Sequence, residues 1–279
     1  MSTTVDTTPI ARRKRNRILL QTACVTVSLF MLVPIYLISL AALSTRESLN
    51  EFPLSLLPTN LSADTLQAFL GSTGIFGALG NSLIVGAGTL LLSALIGVPA
   101  GYALARFTFP GKDPYQLFLL FTRALPIVVL SVPLARLFLT VDIYDTTYAV
   151  ILLHTALALP TTILISASVF LSVPVDVEEA ARLFGCSPLG AFARVVLPMA
   201  LPGLAAASIF TFVMSWNEVL GASILTLDHR TLPAQVLGSL SDSPLAYRFA
   251  GGFALVIPSI IFIALMRRYL TNMWGSTIR

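Results

Sequence analysis

The sequence alternates long apolar runs with short polar connections. Windows of about 20 residues, the length that crosses a bilayer as a helix, give six predicted spans, at roughly 18–43, 79–105, 115–139, 147–171, 198–225 and 250–270. Prolines and ionisable residues interrupt the third and fourth spans, so we expect bent helices there. An even number of spans puts both chain ends on the same side. The pattern therefore predicts an all-α, polytopic membrane protein with six transmembrane helices.

Composition agrees with this class. Hydrophobic residues make up 56% and charged residues 11% of the 279 residues, more apolar surface than one globular core of this length needs. The net charge of +4 does not indicate nucleic-acid binding, because the basic residues flank the spans and form no aromatic-interleaved patch. Small residues in the second span favour close helix packing: Gly86, Gly88, Gly97, Ala100 and Gly101.

Basic residues predict the orientation. Twelve share one predicted side: Arg12, Arg13, Lys14, Arg15, Arg17, Arg106, Lys112, Arg182, Arg194, Arg267, Arg268 and Arg279. The other side has Arg46, Arg230 and Arg248. Since Lys and Arg accumulate in cytoplasmic connections, both termini are expected in the cytoplasm. We expect residues 1–17 to form a cytoplasmic basic tail, disordered at its start, and residues 18–279 to form a permease domain. The first span is expected to be a retained anchor, because it is too long for a cleaved signal.

Few residues offer catalytic or metal-binding chemistry. Cys24 and Cys186 form no CxxC or histidine-bearing pattern. The chain has two histidines and no GxSxG, HExxH or paired-carboxylate motif. We expect no catalytic residue and no metal site, which disfavours an intramembrane enzyme.

A polar, glycine- and proline-punctuated stretch, residues 174–197, separates the fourth and fifth spans; we call it the polar segment. Acidic residues near its start favour a helix over about 175–184. Gly185 suits the left-handed conformation that ends a helix, and Ser187 with Pro188 begins a second one. The second helix is expected to expose a stripe of Phe192, Val195 and Val196. Such a helix-turn-helix fits either a partner-docking surface or a connector lying on lipid headgroups.

The motif in this segment resembles a known family. The spacing of residues here looks like the EAA motif of membrane subunits of bacterial ABC importers. Glu179-Ala180-Ala181 is followed after three residues by Gly185, after nine more by Val195, and after one more by Leu197-Pro198. Further resemblance lies in "NSLIVG" (81–86), "PAGYALAR" (99–106) and "SWNEVLGA" (215–222). Together they are similar to the carbohydrate-uptake branch, in particular the smaller permease subunit of maltose-type importers.

The resemblance implies partners. The polar segment would be the coupling loop that inserts into an ATP-binding subunit through Glu179, Ala180, Ala181, Gly185, Phe192, Leu197 and Pro198. Two ATP-binding subunits, a second permease subunit and an extracytoplasmic substrate-binding protein would complete a complex in the bacterial inner membrane. The loop over 228–248 would probe the cleft of the binding protein; the alternative is a solvated connector.

No phosphate-binding loop is present in the sequence. Gly111-Lys112 is followed by Asp113 instead of Ser or Thr, and position 106 is not glycine. We therefore expect this chain to bind no cofactor, with ATP and Mg²⁺ held by the partner ATPases.

Ionisable residues inside spans are candidates for a substrate path. Trp216, Asn217 and Glu218 combine an aromatic face, an amide and a carboxylate, the groups that bind sugars, and Arg123 is a further candidate. The alternatives are an interhelical hydrogen bond or a subunit contact for Glu218, and a side chain reaching the cytoplasmic interface for Arg123. His154 fits a packing role better.

The sequence thus predicts a permease subunit of an ATP-driven importer that moves a sugar or related polyol by alternating access. A secondary transporter or channel acting alone is the alternative.

Overall fold

The computed structural model describes residues 8–45, 47–49, 51, 56–58, 60–240 and 243–275. The helices are α1 (Thr8–Ala42), α2 (Asp64–Leu70), α3 (Ile75–Arg106), α4 (Lys112–Thr122), α5 (Ile127–Thr140), α6 (Thr147–Leu171), α7 (Val175–Leu183), α8 (Pro188–Ala191), α9 (Leu197–Asn217), α10 (Leu220–Leu225), α11 (Leu232–Leu240) and α12 (Leu245–Gly275). A π-helical turn, Phe192–Val196, joins α8 to α9. The all-α prediction is confirmed.

Within the described residues, five helical stretches are long and apolar enough to cross a membrane: Asn16–Ala42, Ile75–Arg106, Thr147–Leu171, Pro188–Asn217 and Leu245–Met266. The sixth candidate is the pair α4 and α5, which meet at an angle of 90°. The bent helix predicted for the third span, over 115–139, is this pair, and residues 123–126 form the break between its two helices. Pro126 lies in the break with extended backbone, and a proline disfavours helical conformation in the residue before it.

Two other boundaries differ from the expected ones. Helix α1 begins at Thr8, so residues 8–10 are helical and the disorder expected over residues 1–10 is wrong for them; residues 1–7 lie outside the described part. The expected span 198–225 stops at Asn217 and resumes as α10, because Glu218 has extended backbone. Residue 46 and residue 279, both used for the orientation, also lie outside the described residues.

The chain divides into two compact units. The first comprises Met1–Phe69 with Ser243–Phe253. In it Phe69 packs edge-on against Tyr247 with ring centroids 5.0 Å apart, and Ser44 forms an isolated antiparallel bridge with Leu61. Most of α1 is exposed, as expected for a helix facing lipid.

The second unit, Leu70–Asp242 with Ala254–Arg279, is organised around α3 and α6, its most extensive helix pair. A β-carbon on Gly101 would lie 2.5 Å from Ser166 Cβ and 2.8 Å from Ala167 N, and one on Gly97 would lie 2.8 Å from Thr162 Cγ2. These distances are shorter than real contacts, so the two backbones approach closely only because glycine lacks a side chain. The predicted small-residue packing is confirmed here.

The turn between α5 and α6 is fastened to the segment after α10. Asp145 has φ 57°, and its carboxylate accepts hydrogen bonds from the N–H groups of Leu227, Asp228 and His229 at 2.7–3.1 Å. Burial raises the pKa of the Asp145 carboxyl, but these N–H groups and the His229 ring lower it by more, so the net pKa is below its ordinary value. The ionised carboxylate therefore stabilises this contact.

The close approach of α3 and α6 predicts the effect of one methyl group. Gly101→Ala should lower the melting temperature of the purified protein, because the added carbon overlaps α6 backbone atoms and overpacking costs about 1–3 kcal/mol. Gly80→Ala is the matched control on the same helix, since a β-carbon there meets nothing within 4 Å. Alanine at that open site should leave stability unchanged or raise it. Equal melting temperatures for both variants would contradict the packing.

The Asp145 contact predicts a pH dependence. Asp145→Asn keeps a side chain that tolerates positive φ and removes the charge, so it should cost about 1 kcal/mol at pH 7. The folded pKa is lowered from 3.8, so the difference should be complete above about pH 5 and fade as pH falls through the lowered value. The measurement is thermal unfolding from pH 7 to pH 3. Asp142→Asn, at an exposed position with φ 58°, should show neither effect.

Candidate functional site

The polar segment folds as the predicted helix-turn-helix. Helix α7 ends at Leu183, and Gly185 follows with φ 91°. A β-carbon on Gly185 would meet nothing within 4 Å, so glycine is required there for backbone conformation and not for space. Ser187 caps α8 by accepting a hydrogen bond from Gly190 N at 3.1 Å, and Pro188 is its first residue. These local predictions are confirmed.

The expected exposed stripe instead faces the protein interior. Val196 is fully buried and Val195 half-buried. The Phe192 ring centroid lies 4.6 Å from that of Tyr102 and 6.0 Å from that of Phe170. The prediction that this stripe is exposed is wrong, because these side chains cover the apolar ends of α3 and α6.

Other predicted coupling residues divide between the two faces. Glu179, Gly185 and Pro198 are exposed, and Ala180 and Ala181 are half-buried. Leu197, like Phe192, packs against the buried cluster of Phe170, Val173, Val196 and Ala200.

The outer face of the polar segment is apolar and unpartnered in the described chain. The side chains of Leu183, Phe184 and Leu189 are 88%, 91% and 76% exposed. Beside them is an open cavity of about 550 Å³, lined by Glu179, Arg182, Leu183, Cys186 and Pro188. Sequence reasoning missed these three apolar residues. The sequence feature that could have predicted their exposure is their position on either side of the turn at Gly185.

A buried ion pair anchors α7 to α3. The Arg106 Nε donates to Glu178 Oε2 at 3.0 Å, and Arg106 Nη2 donates to the Val173 carbonyl at 2.9 Å. The Tyr102 hydroxyl donates to Glu178 Oε1. Both charged side chains are nearly buried, at 8% and 11% exposure. Sequence reasoning counted Glu178 only among the acidic residues that favour the start of α7 and predicted no partner for it, because nothing local distinguishes it from its neighbour Glu179.

A second cavity, of about 720 Å³, lies at the break between α4 and α5; we call it the α4–α5 cavity. It is lined by Thr122, Arg123, Ile127, Leu157, Thr161, Phe210, Val213, Met214, Asn217, Glu218, Val219 and Leu220. Three of the four predicted path residues, Arg123, Asn217 and Glu218, therefore come together here. The Asn217 amide also donates to the Val213 carbonyl at 3.0 Å.

Trp216 lies outside the α4–α5 cavity. It is 1% exposed, its Nε1 donates to the Leu255 carbonyl at 2.9 Å, and its ring stacks on Phe212. The prediction that its face lines a path together with Glu218 is wrong in geometry, because successive residues at the end of α9 point to different sides of the helix.

Glu218 is held by hydrogen bonds from its own chain. Oε1 accepts from Gly221 N at 2.8 Å and Oε2 from Ala222 N at 3.0 Å, so the carboxylate caps α10. The His154 Nε2 lies 3.0 Å from Oε2, and its Nδ1 lies 2.8 Å from Ser215 Oγ. This geometry agrees with the packing role expected for His154 and favours the interhelical alternative for Glu218.

Within the described residues no group of three His, Cys, Asp or Glu side chains is placed to hold a metal ion. Cys24 is exposed and Cys186 half-buried, and neither forms a disulfide.

The buried ion pair predicts different effects for neighbouring glutamates. Glu178→Gln should destabilise the seating of α7 by about 3 kcal/mol, because it leaves Arg106 without its counter-charge. Faster amide exchange over 175–183 would report the loss. Glu179→Gln makes the same chemical change at the adjacent exposed position and should leave exchange unaltered. Equal protection in the two variants would remove the anchoring role.

Comparisons with known proteins agree with this architecture. The family model described as "Binding-protein-dependent transport system inner membrane component" matches residues 97–273. The trehalose transport system permease protein SugB of Mycobacterium tuberculosis is 30% identical over 92% of this chain and 94% of its own length. The sulfoquinovosyl glycerol transport system permease protein SmoH of Agrobacterium fabrum is 31% identical over 84% and 82%.

Solved structures share the fold. A chain of a bacterial ABC transporter involved in importing the acidic polysaccharide alginate superimposes with a TM-score of 0.70, 19% identity, and coverage of 92% of this chain and 98% of that one. A chain of the inward-facing methionine transporter MetNI gives 0.58, 20% identity, and coverage of 74% and 97%. Because the family model covers more than half of the chain and a relative matches nearly all of it, the chain belongs to the family of binding-protein-dependent transport system inner membrane components.

Proposed function

We propose that this chain is a permease subunit of an ATP-driven ABC importer and moves a sugar or related polyol by alternating access. The observation that carries the proposal is the two-sided polar segment, anchored to α3 on one face and apolar and uncovered on the other. Relatives named as transporters of trehalose, diacetylchitobiose and sulfoquinovosyl glycerol support a carbohydrate as substrate. The family makes it a transport component and not an enzyme.

The outer face of the polar segment docks into an ATP-binding subunit. Leu183, Phe184 and Leu189 present apolar surface of the kind that a partner buries. ATP and Mg²⁺ bind to two such partner subunits, since this chain has no phosphate-binding loop and itself binds no cofactor.

The inner face transmits movement to the membrane helices. A shift of the docked segment acts on α3 through Glu178 and Arg106, and on α6 through the packing of Phe192 against Phe170. These helices and α9 form the core of the second unit, and residues of α6 and α9 line the α4–α5 cavity. Rocking them together opens the cavity to one side of the membrane at a time.

A second permease subunit completes the path, and an extracytoplasmic binding protein delivers the substrate to the loop over 228–248. Within this loop Leu232, Ala234 and Val236 are buried, and Leu232 N donates to Ser82 Oγ at 2.7 Å. The exposed Asp228 and His229 are therefore better placed to contact a binding protein than α11; residues 241–242 lie outside the described part.

The chain spans the bacterial inner membrane several times, with both termini in the cytoplasm. The excess of basic residues at both ends supports this orientation. A transporter acting alone, the alternative, gives no reason for Phe184 to be 91% exposed, which favours the subunit role.

The test is purification of the complex with mass identification of the associated chains. Phe184→Ala should weaken ATPase binding by about 2 kcal/mol, roughly 30-fold, because truncating a central aromatic anchor has this cost. Substrate-stimulated ATP hydrolysis should fall with it, while membrane insertion survives. Phe118→Ala removes another exposed phenylalanine, on α4, and should leave both unchanged. Copurification of no ATPase with the unaltered chain would overturn the proposal.

A further inference from the structure

The α4–α5 cavity contains a cation with no partner in the described part of the chain. Arg123 follows the last residue of α4, where its backbone N–H donates to the Leu120 carbonyl at 3.3 Å. Arg123 is exposed and lines the cavity, and its side chain makes neither an ion pair nor a hydrogen bond with any described residue. The five guanidinium donors are therefore available to a molecule in the cavity.

The cavity lies at the middle of a membrane span. Leu157 and Thr161, which line it together with Arg123, are the eleventh and fifteenth of the 25 residues of α6. At a rise of about 1.5 Å per residue they lie far from both ends of that helix. A charged side chain at this depth is costly unless it faces water or meets an opposite charge.

Glu218 does not supply that opposite charge. Its carboxylate already accepts from Gly221 N and Ala222 N and lies beside His154 Nε2. No ion pair within 4.0 Å joins it to Arg123 in the described chain. The negative charge in this cavity is therefore compensated by its own neighbours, and the positive charge is not.

We propose that the translocated substrate carries an anionic group, a carboxylate, sulfonate or phosphate on the carbohydrate, and that Arg123 is the specificity-determining residue that binds it. The planar guanidinium fork matches two oxygens of such a group. Asn217 and Thr161 line the same cavity, and an amide and a hydroxyl are groups that suit sugar hydroxyls. This inference rests on the proposed function and refines its substrate class.

The competing source of negative charge is an acidic side chain on the second permease subunit. That arrangement would neutralise Arg123 in the assembled complex and leave the cavity without preference for anions. A measurement of the cavity potential in the whole complex separates the two possibilities.

The first experiment measures that potential in the purified complex. The Asn217→Cys variant, in which Cys24 and Cys186 are replaced by serine, is labelled in separate reactions with two methanethiosulfonate reagents. One carries an anionic sulfonatoethyl group and the other a cationic trimethylammonium-ethyl group, and the ratio of the two labelling rates is measured. Adding Arg123→Gln should lower the anion-to-cation rate ratio at least about tenfold, because the nearby positive charge is lost. Arg136→Gln removes an exposed arginine of α5 that does not line the cavity and should leave the ratio unchanged. A ratio insensitive to Arg123→Gln overturns the proposal.

The second experiment tests the ligand class in the same complex. D-glucuronate should slow labelling of Asn217→Cys more than D-glucose does at equal concentration, since the two sugars differ at C6 by a carboxylate and a hydroxymethyl group. Arg123→Gln should abolish the difference, and Arg123→Lys should retain part of it. If D-glucuronate and D-glucose slow the labelling equally, or if D-glucuronate does not slow it, the inference is overturned. If the Arg123→Gln complex loses the second permease subunit, Arg123 belongs to a subunit contact, and this result also overturns the inference. If the unaltered complex contains no ATPase subunits, the proposed function is overturned instead.

Discussion

The close contact of α3 with α6 is the constraint on which the rest of the second unit depends. Gly97 and Gly101 let the backbones approach to distances that no β-carbon permits. This contact sets Tyr102 and Arg106, at the end of α3, beside Phe170 of α6 and Val173, which follows the end of α6. The resulting surface is both apolar and charged, and the polar segment packs onto it.

The polar segment consequently has two chemically different faces. Its inner face combines a buried ion pair with packed aromatic rings, and its outer face exposes Leu183, Phe184 and Leu189 beside charged residues. A buried ion pair adds little net stability compared with apolar packing, but removing one partner is costly. The Glu178–Arg106 pair therefore acts chiefly to define where α7 lies.

Charge in the α4–α5 cavity is arranged asymmetrically. Glu218 serves the protein's own structure as the cap of α10 and the partner of His154, whereas Arg123 stays open to the cavity. Both residues stood out in the sequence because charges inside apolar runs are rare. The sequence favoured Glu218 over Arg123 as a path residue, and the structure reverses that order, since hydrogen-bond partners across the fold are needed to separate a structural charge from a free one.

What the sequence determined by itself was whatever depends on neighbouring residues: the apolar spans, the left-handed turn at Gly185, the cap at Ser187 and the small residues of α3. What only the tertiary structure decided was which side chain faces which neighbour. Glu178 and Glu179 are adjacent and chemically identical, yet Tyr102, 76 residues away along the chain, bonds only the first. For the same reason Phe192, which was expected to be exposed, packs inward, and Phe184, for which no role was predicted, is 91% exposed. A short helix buries the face that meets distant helix ends, and the positions of those ends follow from the packing of α3 against α6.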